Sequence, residues 1–397
     1  VEMEVADLAE ELQAAGHQVQ IFTAQWERKG PKAFHLREIP VARINRSLGG
    51  AWGMFRFVRE LKHQISEAEA EGVIVYGLNE EAWGAIRGLV SDLPLVVRVH
   101  WNDARRFFER PLSMRNRTIL GRARRLIVDS GDTAEILGAG SPLAPVEIVP
   151  ACGRLVPGGS RLSSGQAISG PLGLSPELPS ELTSGPTMES TVGQARAFLS
   201  EAHPILTIGL RQPLVVCGSN LQDPGIEILL KAWRQLIRSL PYARLWLLGN
   251  GRQGREVWER VVDYRLSESV VMPGFFDQLE EVLRAADLYL HATTQGGDAY
   301  VLSQAMAMGL ATISLPAGSV QPWISSGENG RISPNFSPES LCQLMLELLG
   351  EPELRRQLGE QAARSAGDWD LGRWVHSFYQ PLEEPRGLER DSGMLGG

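Results

Sequence analysis

Cysteine is nearly absent from this chain. Cys152, Cys217 and Cys342 are spread over 397 residues with no CxxC pair and no Cys/His cluster. That excludes a structural zinc site and a disulfide-stapled small fold, and leaves reduced, buried thiols as the expected state. Long apolar runs are missing too. No stretch approaches the ~20 residues that a membrane-spanning helix needs, and no signal-peptide pattern opens the sequence. Net positive charge is also lacking: 39 Lys and Arg face 47 Asp and Glu, a balance of −8 that supplies no basic field and removes nucleic acid as a partner.

What is present is ordinary for a folded chain. An apolar share of 43% with 22% charged residues argues against wholesale disorder, and this length fits two domains better than one. Charge is unevenly placed. Nine arginines (98, 105, 106, 110, 115, 117, 122, 124 and 125) stand against Asp103 and Glu109 between Arg98 and Arg125, a local balance of about +7. Trp101, Phe107 and Phe108 are interleaved with them. The segment reads either as a solvated helix face or as a contact for anionic lipid or a phosphorylated acceptor. The expected location is therefore cytoplasmic, peripheral to the inner face of the membrane if the second reading holds.

Helix and strand patterns alternate along the chain. Val5, Leu8, Ala9 and Leu12 share one helical face, Gly16 is placed as a C-cap, and a strand follows over 17–23. Strands are predicted at 72–76, 95–99, 125–129 and 146–149, with helices at 80–89, 114–123 and 133–137 between them. From Arg154 the composition turns to Pro, Gly, Ser and Leu with little charge, as in PGGSRLSSGQAISGPLG, the signature of a linker or insertion. Alternation resumes with strands at 214–217, 244–248, 270–272, 288–291 and 311–314, and helices at 226–238, 252–264, 278–286 and 300–308. Two amphipathic helices follow Ser337, then a helix over 369–380 and a frayed tail. This pattern gives α/β architecture with two doubly wound domains around a cleft, and ligands belong at the carboxyl ends of the strands. The boundaries read as 1–153 for the first domain, 154–212 for the linker or insertion, 213–366 for the second domain and 367–397 for the last helix and tail.

Several stretches carry a resemblance in order and spacing. LLKAWRQL, ARLWLLGNG, VMPGFFDQLEEVLRAADLYLHAT, QAMAMGLATIS, GENG and PELRRQLGEQA cover about 150 residues of the second half. Together they resemble the donor domain of retaining, family-4-type glycosyltransferases (glycosyl transferases group 1) of the GT-B fold. VEMEVADLAEELQAAGHQV, LPLVVRVHWND and VEIVPACGRLVPG in the first half resemble that family's first helix and second strand, its histidine loop and the start of its interdomain connection. The closing helix resembles the one that crosses back to the first domain. The family begins with a strand and a Gly-rich loop ahead of the part that Val1–Glu4 resembles, so the first strand is expected to be missing here.

The resemblance implies a nucleotide-diphosphate sugar as donor, an unknown acceptor, no cofactor and no metal. It also implies specific residues, and here the pattern is altered. The family's Arg and Lys after the first donor-domain strand fall on Ser219 and Pro224 in CGSNLQDPG. Its pair of Glu residues, seven apart, falls on Gly296 and Gln304 in GGDAYVLSQAMAMG. Gln304 keeps an amide that can hydrogen-bond ribose, more weakly than a carboxylate. His100 matches the family's histidine near the donor sugar and phosphate, the tentative catalytic residue, and reads otherwise as a structural histidine ending a strand. Gly249, Asn250 and Gly251 keep a tight turn, and Gly297 with it belongs to the donor-binding set. Arg252 and Arg255 are either solvated helix-start residues or replacements for the lost cations. Asp298 is placed to N-cap the helix that starts near Ala299, where it would take the N–H groups a phosphate would use and repel the phosphate itself.

Three functions fit this pattern. One is a diverged glycosyltransferase that transfers sugar with retention. Another is a noncatalytic GT-B protein that serves as a binding or partner subunit, and the third is an incomplete gene product.

Overall fold

The computed structural model describes residues 2–25, 33–36, 39–45, 50–89, 93–99, 118–129, 131–138, 144–149, 188–202, 204–249, 254–274, 279–294, 299–317, 320, 323–367 and 371–383. Helix α1 (Glu2–Ala14) buries Leu8, Ala9 and Leu12, and Gly16 ends it with φ +95, a conformation that costs glycine little. Strand β1 (Ile21–Gln25) pairs in parallel with β3 (Ile39–Asn45), and β2 (Ala33–Leu36) runs antiparallel on the far side of β3. Helix α2 (Gly50–Glu67) then lays Phe57, Leu61 and Ile65 into the core, each four residues from the last, the spacing that keeps side chains on one helical face.

A second, four-stranded parallel sheet follows in the order β4-β5-β6-β7, from β4 (Val73–Tyr76), β5 (Leu95–Val99), β6 (Arg125–Val128) and β7 (Val146–Ile148). Helices α3 (Glu80–Leu89) and α4 (Gly131–Gly138) connect its strands. The Asn79 side chain opens α3 by accepting the Ala82 N–H at 2.8 Å. The first half therefore holds two sheets where the alternation predicted one, and β2, β3 and α2 fall in a stretch assigned no elements. Of the helix expected over 114–123, residues 118–120 are helical and 114–117 lie outside the described residues.

Much of the linker reading also needs correction. Helix α5 (Met188–Ala202) and a 3-10 turn (Pro204–Leu206) lie within 154–212 and are packed. Ala195, Leu199, Leu206 and Ile208 join the core of the second half. Arg196 is buried, its guanidinium donating to the carbonyls of Ala285, Gly209 and Leu210 and pairing with Asp287 at 2.9 Å. A low-charge composition hid this segment because its order rests on one arginine and four apolar contacts rather than on a strong period. Residues 154–187 lie outside the described residues.

The second sheet of Rossmann type is continuous, all-parallel and six-stranded, in the order β10-β9-β8-β11-β12-β13. Its strands are β8 (Leu214–Cys217), β9 (Arg244–Leu248), β10 (Val270–Gly274), β11 (Leu288–His291), β12 (Thr312–Ser314) and β13 (Arg331–Ile332). Apolar runs such as LVVC and LYLH are buried throughout, as both-face coverage requires. Helices α6 (Gly225–Ser239), α7 (Gly254–Asp263), α8 (Leu279–Ala285), α9 (Tyr300–Ala307), α10 (Pro338–Gly350) and α11 (Pro352–Gly367) cover it. Trp233 on α6 is fully buried and donates its ring N–H to Ser269 at 3.1 Å. Helix α12 (Leu371–Glu383) returns to the first half, where Trp374, Val375 and Phe378 pack with Leu8, Val96, Ile127 and Val149. Among the described residues no helix is long and apolar enough to cross a membrane.

Candidate functional site

The carboxyl ends of β8, β9 and β11 meet in the second half, and their loops are stitched together. Ser219 follows β8 and is buried, its hydroxyl oxygen accepting the Ala292 N–H at 2.7 Å. Its side chain therefore points into the junction with β11 and is committed there. Pro224 holds the N-cap position of α6, and it brings neither a charge nor an N–H. Gly225 begins the helix against β11: a Cβ at this position would lie 2.4 Å from the Ala292 carbonyl oxygen, so no other residue fits.

The anchor of this junction is Asp223. One carboxylate oxygen accepts the N–H of Gly225 at 2.8 Å, the N–H of Thr294 at 2.9 Å and the hydroxyl of Thr294 at 2.8 Å, and the other accepts the Thr293 hydroxyl at 2.9 Å. Four donors thus converge on one internal anion, and hydrogen bonds to an ionised acceptor are the strong kind. This loop therefore offers a neutral hydroxyl facing inward, a proline and a carboxylate. Nearby Cys217 has its thiol pushed up by burial, and the Asp223 charge adds to that; a protonated thiol is a poor nucleophile.

Gly249 ends β9 with φ +141, and a Cβ there would meet the Leu221 side chain at 3.1 Å, so the turn touches the β8–α6 loop. Asn250, Gly251 and Arg252 lie outside the described residues. Arg255 is exposed in the first turn of α7 and has no ion pair among the described residues, the geometry of a solvated helix start.

Helix α9 carries the rest. Its N-cap position is Ala299, with no side-chain cap from that residue. Asp298 itself, with Gly296 and Gly297, lies outside the described residues, as does His100. Tyr300 donates its hydroxyl to Asp7 of α1 at 2.8 Å, and both residues are buried. This bond joins the two halves of the chain. Gln304 lies one turn further along and is 5% exposed.

The structure thus brings Ser219, Gly249 and the α9 helix of Gln304 into one neighbourhood. Asp223, Thr293, Thr294, Tyr300 and Asp7 were not singled out from sequence. An Asp-Pro-Gly step before an apolar periodic run is a helix-start signal that points to Asp223, whereas the Tyr300–Asp7 contact spans 293 positions and leaves no local trace.

The arginine-rich segment is also changed by the structure. Arg98 is fully buried on β5, where it pairs with Glu4 of α1 at 3.2 Å and donates to the Val149 carbonyl. Arg125 pairs with Glu147 at 2.7 Å across β6 and β7. Both ends of the segment are therefore paired, Arg98 in the interior and Arg125 at the partly exposed edge of the sheet; Arg105, Arg106, Arg110, Arg115 and Arg117, with the interleaved aromatics, lie outside the described residues.

Comparison with known proteins agrees with this architecture. Residues 1–152 match the family model described as Glycosyltransferase Family 4, and residues 212–351 match the one described as Glycosyl transferases group 1. The chain is 25% identical over 157 residues to N-acetyl-alpha-D-glucosaminyl L-malate synthase of Bacillus anthracis, covering 40% of this chain and 41% of that protein. It is 27% identical over 188 residues to a GDP-mannose-dependent monoacylated alpha-(1-6)-phosphatidylinositol monomannoside mannosyltransferase of Corynebacterium glutamicum, covering 44% and 48%. The matches thus span under half the length of these curated relatives. Among solved structures, sucrose-phosphate synthase from Thermosynechococcus elongatus superposes with a TM-score of 0.68 at 19% identity, covering 95% of this chain and 91% of that one. HepE of Anabaena, in complex with UDP and glucose, superposes with a TM-score of 0.66 at 16% identity, covering 96% and 95%. At such identities the likeness concerns the fold.

Proposed function

The chain belongs to the GT-B glycosyltransferases, family 4 in its first half and group 1 in its second, and on that premise we propose that it binds a nucleoside-diphosphate sugar and transfers the sugar to an acceptor with retention, slowly. The carrying observation is the meeting of the β8 and β11 loops, joined by Ser219 and Ala292, with helix α9, which carries Gln304 at 5% exposure. In this reading the amide meets the ribose hydroxyls, Gly249, Gly251 and Gly297 let backbone approach the diphosphate, and His100 lies beside the donor sugar. The bond that breaks joins the anomeric carbon to the β-phosphate oxygen, so negative charge grows on the departing diphosphate.

Slowness follows from the β8–α6 loop. One charge-stabilising contact on a transferring phosphate can supply roughly 10³ to 10⁵ in rate. Neither Ser219 nor Pro224 supplies one, and Asp223 brings charge of the wrong sign. Arg252 and Arg255 are the cations nearest in sequence to the Gly249 turn, and any compensation falls to them.

Calorimetric titration with UDP, GDP and ADP and their sugar conjugates tests the proposal. The HepE complexes make the uridine series the first choice. Micromolar binding of one nucleotide, weakened about five- to tenfold by Gln304→Ala as loss of a neutral hydrogen bond predicts, supports it. No binding by a folded, monodisperse sample overturns it. A second reading, a noncatalytic GT-B subunit, is favoured by the commitment of Ser219 and Asp223 to internal bonds. The two part on nucleotide release: a transferase frees the nucleoside diphosphate from its sugar conjugate on prolonged incubation, and a binding subunit leaves it intact.

A further inference from the structure

Two carboxylates of helix α1, Glu4 and Asp7, are buried, at 0% and 1% exposure. They stand three residues apart, so their side chains leave the helix as neighbours, yet they serve different halves of the chain. Glu4 pairs with Arg98 of β5 at 3.2 Å, and Arg98 donates to the Val149 carbonyl and lies over the Phe378 ring, 6.0 Å from its centroid. With Leu8 and Leu12 packed among the apolar side chains of the same half, these contacts seat α1 there. Asp7 instead accepts the Tyr300 hydroxyl at 2.8 Å. Tyr300 opens α9, where Ala299 brings no side-chain cap, and the bond to Asp7 anchors that first turn from outside the helix. Four residues on, and therefore on the same side of α9, comes Gln304.

From this arrangement we infer that Asp7 is a positioning residue for the donor site, acting through Tyr300 on Gln304. Helix α9 is eight residues long, about 12 Å at its rise per residue, so a shift of its first turn is passed to Gln304 one turn away. Glu4 completes the device. Strand β5 ends at Val99, one residue before His100, and α1 thus ties the strand that leads to His100 and the helix that carries Gln304 through two adjacent side chains. The chemistry of the pair supports positioning over simple cohesion. An apolar contact would join the halves without taking a carboxylate out of water, whereas a hydroxyl bonded to a carboxylate has a preferred direction and fixes where the Tyr300 ring stands. The inference rests on the donor reading proposed above, in which Gln304 meets ribose, and adds to that site a residue from the first half.

The test titrates the full chain with UDP, GDP and ADP and follows nucleotide release from their sugar conjugates, in the parent and in Asp7→Ala, Tyr300→Phe, the two combined, and Asp7→Asn. Asp7→Ala and Tyr300→Phe each weaken binding of the preferred nucleotide about three- to tenfold and slow its release at saturating conjugate about tenfold, as a misplaced contact predicts. The combined variant is no worse than the weaker single one, since both remove the same bond. Asp7→Asn still offers an oxygen to the hydroxyl and stays within about threefold of the parent. A bond with only a structural role lowers the melting temperature and leaves affinity and release where they were. Where Asp7→Ala does not fold, Tyr300→Phe, which loses a single oxygen, decides alone, and where the parent binds without release, affinity decides. A parent that binds none of the nucleotides overturns the proposed function and this inference with it. A parent that binds, with affinity and release unchanged in the single variants, with losses that add in the combined one, or with Asp7→Asn as damaged as Asp7→Ala, overturns the inference alone.

Discussion

The two halves of this molecule solve the same architectural problem differently. In the second half one parallel sheet runs unbroken across six strands, and its buried arginine, Arg196, bonds loop carbonyls at the margin of the sheet. In the first half the strands are divided between a three-stranded and a four-stranded sheet, and the helix layer ties them together. Helix α1 packs on β3 of one sheet and, through Glu4, holds Arg98 on β5 of the other. The difference teaches where charge is tolerated inside. Beside the continuous sheet the buried charge of Arg196 is spread over three backbone carbonyls and a partly exposed Asp287, whereas the divided pair of sheets is bridged by an ion pair with both side chains at 0% exposure.

The sharpest way to break this comparison is Arg98→Ala. It leaves Glu4 as an uncompensated buried charge and should cost about 3–5 kcal/mol, lowering the first unfolding transition in calorimetry while the second half's transition stays in place. A single shifted transition would show that the halves do not differ in this way. Asp223→Ala should rank next, since it strands four donors around the α6 start. We expect a loss of about 2–3 kcal/mol in urea denaturation, this time in the second-half transition. Asp223→Asn keeps an acceptor and removes the charge, so UDP affinity by calorimetry should rise about fivefold as repulsion is relieved.

Tyr300→Phe removes one buried hydrogen bond between the halves, and about 1 kcal/mol of coupling should go with it. Differential scanning calorimetry should show the two transitions moving apart. The smallest effect belongs to Glu227 on α6. Burial pushes its carboxyl up, but hydrogen bonds from Tyr264 and Lys231 and the charges of Lys231 and Arg260 outweigh that, so it sits below the ordinary carboxylate value. A lowered folded-state value means stability that is present above the ordinary carboxylate value of 4.5 and lost as pH falls through the folded-state value. Glu227→Gln should therefore be less stable than the parent at neutral pH by about 0.5–1 kcal/mol, and the two should converge in acid.

Legibility in the sequence followed burial and composition in both halves. Strands 95–99, 214–217, 244–248 and 288–291 and helix 80–89 stand where the apolar patterns put them, because buried parallel strands and amphipathic helices write their environment into composition. The IPVARIN strand did not: it mixes apolar and polar residues beside a hairpin partner, and its burial alternates only in part. Helix α5 was hidden by a linker-like composition. The sequence singles out Ser219, Pro224 and Gln304 by position, but not where their side chains turn. That Ser219 is turned toward Ala292 and that Asp223 gathers four donors are tertiary facts, made by loops far apart in the chain. Arg98 shows the opposite error, a charge counted as surface that is wholly interior.

The return of α12 orders events during synthesis. The core of the first half uses Trp374, Val375 and Phe378, residues that leave the ribosome after the whole of the second sheet and its helices. The second half, by contrast, draws its core from residues 195–366 and can close once these have emerged. The part made first is therefore the part finished last, and until α12 arrives Leu8, Val96 and Ile127 present an uncovered apolar surface of the kind that chaperones engage.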